Sequence, residues 1–292
     1  MLERFEAIEC FSSSVLTSLP EKLILKDDPD VAIFYNLILI RLLTGNLDIY
    51  CNKEELNLEQ RFNFYELPGS IQPLNQNLGG YFNITNQELA DCISANVNRA
   101  LYKELFFEFC SYFFAKQKGN NETAFIHIYR ILERISYAFP LIWASKQNDY
   151  YGTFDKLKKF FEKKDAKELN AFKMFLSSFL GSTLLSVNSE INLFSVEDDW
   201  KALHYQSLIS LIGEDNAESF LENERVTIKN NLVIDLIVNV RNKYFHALTG
   251  KDQSFTSEHL ICPNEFFECI NSVCISWLAF IVVEVIKTDL RV

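Results

Sequence analysis

One stretch of the chain combines the groups that phosphodiester chemistry uses. Val238-Asn239-Val240-Arg241-Asn242-Lys243-Tyr244-Phe245-His246-Ala247 sets polar and charged side chains at the end of the strongly apolar run Leu232 to Val240. An imidazole titrates near pH ~6.5 and passes protons at cellular pH. A guanidinium stays charged and grips phosphate with a two-pronged fork. An Asn amide can orient either the imidazole or a substrate. On an ideal helix Asn242 and His246, four apart, share a face. Arg241 lies five before His246 and is rotated from it by roughly 140°. Bringing guanidinium and imidazole together therefore takes a long side-chain reach or a local bend. Where they meet, the set suits RNA cleavage. The same residues also suit the C-terminal end of an apolar helix, which favours basic groups.

Arg241-Asn242-Lys243-Tyr244-Phe245-His246 resembles the signature of the HEPN superfamily, in which an Arg, a polar residue and then a His recur with four to six positions between Arg and His. Here the spacer is four and the polar residue is Asn. In a chain of this composition that form arises by chance about 0.01 times. The resemblance covers the motif helix and the helical pattern of residues 119–292, and leaves the first third aside. It implies a helical bundle in which two copies of the motif face each other across a homodimer groove. It also implies RNA cleavage without a metal or other cofactor. The 2′-hydroxyl attacks the adjacent phosphate and leaves a cyclic phosphate and a free 5′-hydroxyl. By this resemblance His246 is the general acid or base, Arg241 holds the phosphate and Asn242 supports both. Members occur in toxin–antitoxin, abortive-infection and CRISPR-type defence systems. That implies the toxic effector of a bacterial antiphage system, with an antitoxin or another defence protein as partner. Bundles of this shape also serve as inert interaction subunits, and that role is the alternative. One subgroup carries a Tyr two positions after the His; Leu248 stands there in this chain.

Other candidates are weaker. Tyr129-Arg130-Ile131-Leu132-Glu133-Arg134 interrupts a second helix with charge; Arg130 or Glu133 could reach a cleft, or the segment is an exposed, ion-paired face. Lys156, Lys158, Lys159, Lys163, Lys164 and Lys167 form the one dense basic run, with Phe154, Phe160 and Phe161 among them. It reads as a solvated amphipathic helix or as an RNA-tracking surface. His127, His204 and His259 each stand alone, without Cys or carboxylates at metal-ligand spacing. Gly79-Gly80 lacks the following Lys-Ser or Lys-Thr of a phosphate loop and reads as a turn.

These residues need a helical scaffold, and the chain supplies one. Thr85-Asn86-Gln87-Glu88 is a capping box. The helix it opens is expected to continue through Ala100 to about Lys116, with Leu89, Ile93, Val97, Leu101, Leu105 and Phe109 at spacing four, and Gly119 stops it. A second helix is expected from about Glu122, carrying Phe125, Ile128, Ile131, Leu132 and Ile135 up to Pro140. Further helices are expected near 153–165 and 167–187, a short one from Val196, a long one from Asn223 to about Leu248, and a last one opened by Pro263. Before residue 85 the pattern is mixed. Val31 to Leu43 is a buried helix or strand, residues 60–66 suit a short strand, and Pro68, Gly69, Pro73, Gly79 and Gly80 make a loop. The expected class is mainly α. Residues 1–118 form a smaller, mixed α/β N-terminal region for regulation or partner docking, and residues 119–292 form a HEPN-like helical bundle.

The 292 residues carry a net charge of −11 and are 48% hydrophobic. A wholly disordered chain is excluded. So is a protein that coats nucleic acid by bulk charge, although a local basic cleft is allowed. The early acids of Met1-Leu2-Glu3-Arg4-Phe5-Glu6 do not make a secretory signal, and the apolar stretch Val273 to Val283 is shorter than a bilayer span of ~20 residues. The expectation is a cytoplasmic protein with no membrane contact. Seven scattered cysteines without a CxxC pair read as reduced, small hydrophobes.

Overall fold

The computed structural model describes residues 5–25, 34–56, 58, 78–95, 98–161, 168–245, 255 and 259–290. Within them the fold is mainly α, with two small three-stranded antiparallel sheets. The chain divides into two compact units. The first holds Met1–Lys118, Ala138–Tyr150 and Ala279–Val292; the second holds Gly119–Tyr137 and Tyr151–Leu278.

The first unit opens with β1 (Phe5–Ile8), α1 (Ser13–Leu16) and α2 (Tyr35–Leu43), followed by β2 (Asp48–Cys51) and β3 (Glu54–Glu55). β2 is the central strand, antiparallel to β1 from Phe5↔Cys51 to Ile8↔Asp48 and to β3 at Tyr50↔Glu55. The segment that periodicity left between helix and strand is helical over α2, and every residue of α2 is buried. One of them is a charge: Arg41 is buried against Glu9 of the stretch after β1. Next come α3 (Asn86–Ala95) and α4 (Arg99–Gln117). The capping box forms as expected, the Glu88 amide donating to Thr85 Oγ1 at 3.2 Å and the Thr85 amide to Glu88 Oε2 at 2.8 Å. The single helix expected from Thr85 to Lys116 is instead two. The restart falls at Asn98, whose Nδ2 donates to Asp289 Oδ2 at 2.9 Å rather than capping α4; Asn competes with helix through such side-chain bonds. Asp289 also accepts from Tyr102 Oη at 2.7 Å and pairs with Lys146 at 3.1 Å. Gly79 must be glycine, because a Cβ there would lie 2.4 Å from the Ile84 carbonyl oxygen. Residues 60–66 and Pro68, Gly69 and Pro73 lie outside the described residues.

α4 ends before Gly119, whose φ of 69° is the left-handed stop. Then come α5 (Asn121–Ser145), α6 (Tyr150–Phe161), α7 (Glu168–Phe179), α8 (Gly181–Leu185), β4 (Asn188–Asn192), α9 (Asp198–Ile212), β5 (Ala217–Leu221), β6 (Arg225–Lys229), α10 (Val233–Val240) and α11 (Pro263–Leu290). Residues of α5 and α11 contribute to both units. α5 does not end before Pro140 but runs through it; the proline removes the amide that would donate to the Ser136 carbonyl. The apolar stripe Phe125, Ile128, Ile131, Leu132 and Ile135 is fully buried, as its spacing indicates.

The long helix expected from Asn223 to Leu248 is corrected. Residues 217–229 form a hairpin, and with β4 they make a sheet of order β4-β6-β5. Asn223 takes φ 61° in the three-residue turn, a conformation Asn tolerates. The β-branched run Val226-Thr227-Ile228 then fits a buried strand. The helical bundle expected over 119–292 therefore carries a small sheet as well.

α11 starts at Pro263 as expected and runs 28 residues. Considered whole rather than as Val273–Val283, it is long and apolar enough to cross a bilayer, yet 78% of its most apolar window is buried inside the protein. Cys51, Cys110, Cys269 and Cys274 are buried, whereas Cys10, Cys92 and Cys262 are half-buried. Burial pushes the thiol pKa of Cys110 and Cys274 far up.

Candidate functional site

α10 is held by an apolar face. Val233, Ile234, Leu236, Ile237 and Val240 are buried at 2% exposure or less, at spacings of one, three and four that form one wide stripe. The remaining polar residues divide into two sets. Asn239 Nδ2 donates to the Leu211 carbonyl at 2.8 Å and Lys243 Nζ to the Ser210 carbonyl at 3.0 Å. These two, four apart, satisfy open carbonyls at the C-terminal end of α9. Burial lowers the Lys243 ammonium pKa. Asp235, Arg241 and Asn242 instead line a cleft.

After Val240 the α-helix widens into a π-helical turn over Arg241–Phe245. Hydrogen bonds there close five residues apart rather than four. Aromatic packing anchors the turn. Tyr244 Oη donates to Glu122 Oε2 at 2.5 Å, and its ring meets Phe267 edge-on at 5.0 Å. Burial, with Glu122 beside it, pushes the Tyr244 phenol well above its ordinary pKa. Phe245 stacks on Phe125 with ring planes 6° apart and centroids 6.0 Å apart. The wider turn accommodates both rings and leaves Arg241 and Asn242 half-buried at the cleft.

The Arg241 guanidinium lies over the Tyr129 ring, 5.1 Å from its centroid, and its Nη1 donates to Asn242 Oδ1 at 3.1 Å. Tyr129, Glu133, Ser136 and Tyr137 of α5 form one wall of the cleft. Leu169 and Lys173 come from α7, and Asp235, Val238, Arg241 and Asn242 complete it, enclosing about 240 Å³. Lys173 and Asp235 form an ion pair within it. Among the described residues Arg241 pairs with no carboxylate. The cleft thus holds the Lys173–Asp235 ion pair, the Glu133 carboxylate and one guanidinium positioned by an amide and a π face. That arrangement can accept a phosphate or carboxylate oxygen.

Of the three motif residues, Arg241 and Asn242 are brought together, and His246 lies outside the described residues. Glu133, singled out as a charged interruption, lines the cleft; Arg130 is exposed and does not. Lys156, Lys158 and Lys159 are exposed on α6, and Lys163, Lys164 and Lys167 lie outside the described residues. His204 is fully buried, edge-on to Phe266 at 5.8 Å, with no hydrogen-bond partner on either ring nitrogen among the described residues. Among the described residues no three His, Cys, Asp or Glu side chains are grouped to hold a metal ion.

Tyr137, Lys173 and Asp235 escaped sequence reasoning, and Tyr129 entered it only as the first residue of the charged interruption that ends at Arg134. Asp235 carried a usable signal: it is the one acid in an apolar helix and sits seven residues before Asn242, on the same face. Tyr129 and Lys173 reach the site only through tertiary packing. No protein-family model, curated protein or solved structure matches the chain.

Proposed function

We propose that the chain is a metal-independent endoribonuclease of the HEPN type, acting in the cytoplasm as a homodimer and as the toxic effector of a bacterial antiphage or toxin–antitoxin system. The observation that supports this reading most is Arg241. Its guanidinium is held by Asn242 and Tyr129 and opens on a cleft without a carboxylate partner among the described residues. A second support is the π turn over Arg241–Phe245, the kind of local departure from α geometry that an Arg and a His five positions apart call for.

In this reading Arg241 grips the non-bridging oxygens of the scissile phosphate and stabilises the charge that builds there. A base takes the 2′-hydroxyl proton as that oxygen attacks phosphorus. An acid gives a proton to the departing 5′-oxygen, leaving a cyclic phosphate and a 5′-hydroxyl. His246 and its counterpart in a second copy fill these two roles. Asn242 keeps the guanidinium aimed.

The test is direct. Purified protein is incubated with labelled tRNA and total RNA in EDTA, and the products are examined for cyclic-phosphate ends. Cutting is expected, and Arg241→Ala and His246→Ala are each expected to lower its rate at least ~10²-fold. Wild-type rates in either variant would overturn the assigned roles. Absence of cutting by the wild type, also with its natural partner added, would leave a helical interaction subunit.

A further inference from the structure

The outward face of α6 departs from what a solvated helix needs. Phe160 is buried and meets Phe175 of α7 edge-on at 5.7 Å. At 100° per residue, Tyr151, Phe154 and Lys158 fall on the side opposite Phe160. Tyr151 is 89% exposed and Phe154 is 63% exposed. Two large rings one turn apart in water contribute nothing to the core. Cations flank them, Lys158 and Lys159 both being exposed, with Asp155 the one acid of the helix beside them. In a chain of net charge −11 this is a local reversal of sign.

We infer that the outward face of α6 binds single-stranded nucleic acid, with bases stacking on Tyr151 and Phe154 and phosphates running along Lys158 and Lys159. Stacking rings flanked by lysines form the platform that sequence-tolerant single-strand binding uses, since every base presents a π face. A membrane-lying helix would present a broad apolar face. Here the exposed rings of the helix are Tyr150 at its start, Tyr151 and Phe154, two of the three carry a polar hydroxyl, and Asp155, Lys158 and Lys159 charge the rest of the outward side. The inference rests on the nuclease reading, in which this face holds a single-stranded stretch of the RNA substrate.

The test measures binding without cutting. The full-length protein is titrated into a short fluorescent 2′-O-methyl oligouridine, which stacks and carries phosphates but lacks the attacking hydroxyl. The Tyr151→Ala/Phe154→Ala double variant is expected to bind about 30-fold or more weakly, with an unchanged unfolding temperature. The Tyr151→Phe/Phe154→Tyr variant is expected to bind as the wild type does. Lys158→Ala/Lys159→Ala is expected to lower the slope of log affinity against log salt by about 1.4. Equal affinity of wild type and double variant overturns the inference. So does a double variant that loses only binding to phosphatidylserine vesicles or only self-association. Oligonucleotide binding that depends on α6, in a protein that cuts no RNA, would sink the nuclease reading and leave this surface standing.

Discussion

Two arginines at the ends of apolar helices have opposite surroundings. Arg41 in the first unit is wholly buried. Its Nη1 and Nη2 reach the two carboxylate oxygens of Glu9, its Nε donates to the Asn46 carbonyl at 3.1 Å, and Phe11 lies 4.3 Å from its Cζ. Arg241 in the second unit meets one amide oxygen and one ring face, and the rest of its fork faces a cleft. A guanidinium whose fork is filled by its own protein holds the fold; one left with open donors can take a ligand. The difference lies in partners, and neither helical position nor local hydrophobicity reveals it.

Substitutions can break this comparison, and the largest effect is expected at Arg41. Arg41→Ala strands the Glu9 carboxylate beside a buried void and should lower unfolding stability by about 3–5 kcal/mol in urea titrations. Arg241→Ala should do the reverse, costing less than ~1 kcal/mol of stability, the scale of one cation–π contact, while removing the RNA cutting that the proposed function calls for. If Arg241→Ala unfolds the protein as Arg41→Ala does, the contrast between the two sites is lost.

Acid sharpens it further. Burial pushes the Glu9 carboxyl up, but hydrogen bonds from Arg41 and from the amides of Phe11 and Leu25 outweigh this and leave it below the ordinary 4.5. A carboxylate with a depressed folded pKa contributes stability that is whole above the ordinary value and is lost as pH falls through the folded one. Stability should therefore drop as pH falls below about 4.5, and Arg41→Met should weaken that dependence.

The smallest effect belongs to His204. Burial pushes its imidazole below the ordinary 6.5, against a weaker opposing pull from Glu265. The unfolded chain then takes up the proton more readily, so stability is whole above pH 6.5 and declines below it. His204→Leu removes two nitrogens that have no hydrogen-bond partner among the described residues and should flatten this decline, with a net change within ~1 kcal/mol at neutral pH. A steeper decline in the variant would contradict the neutral, desolvated imidazole.

What could be read from the residues follows the range of the forces involved. The capping box at Thr85–Glu88, the stop at Gly119, the α5 stripe and the start at Pro263 are local signals and stand in the structure. The break at Asn98 depends on Asp289, distant in sequence. The β5–β6 hairpin was hidden because Val226 and Ile228 continue an apolar rhythm that helix and strand both satisfy. At the site, Arg241 and Asn242 were legible as an adjacent pair of the right chemistry. Their setting was not, since Tyr129 and Lys173 arrive from helices more than sixty residues away in the chain.

The π turn has a consequence for how the motif came to be built. Such a turn holds one residue more than an α-helical turn, so by Phe245 the side chains are phased about 100° away from where a continued α-helix would aim them. Removing a single residue between Asn242 and Tyr244 would erase that offset. The helix would still form, but the aromatic anchors against Phe125 and Phe267 would point elsewhere. If the proposed ribonuclease reading holds, a one-codon deletion there is expected to silence RNA cutting more completely than any conservative replacement of the same residues.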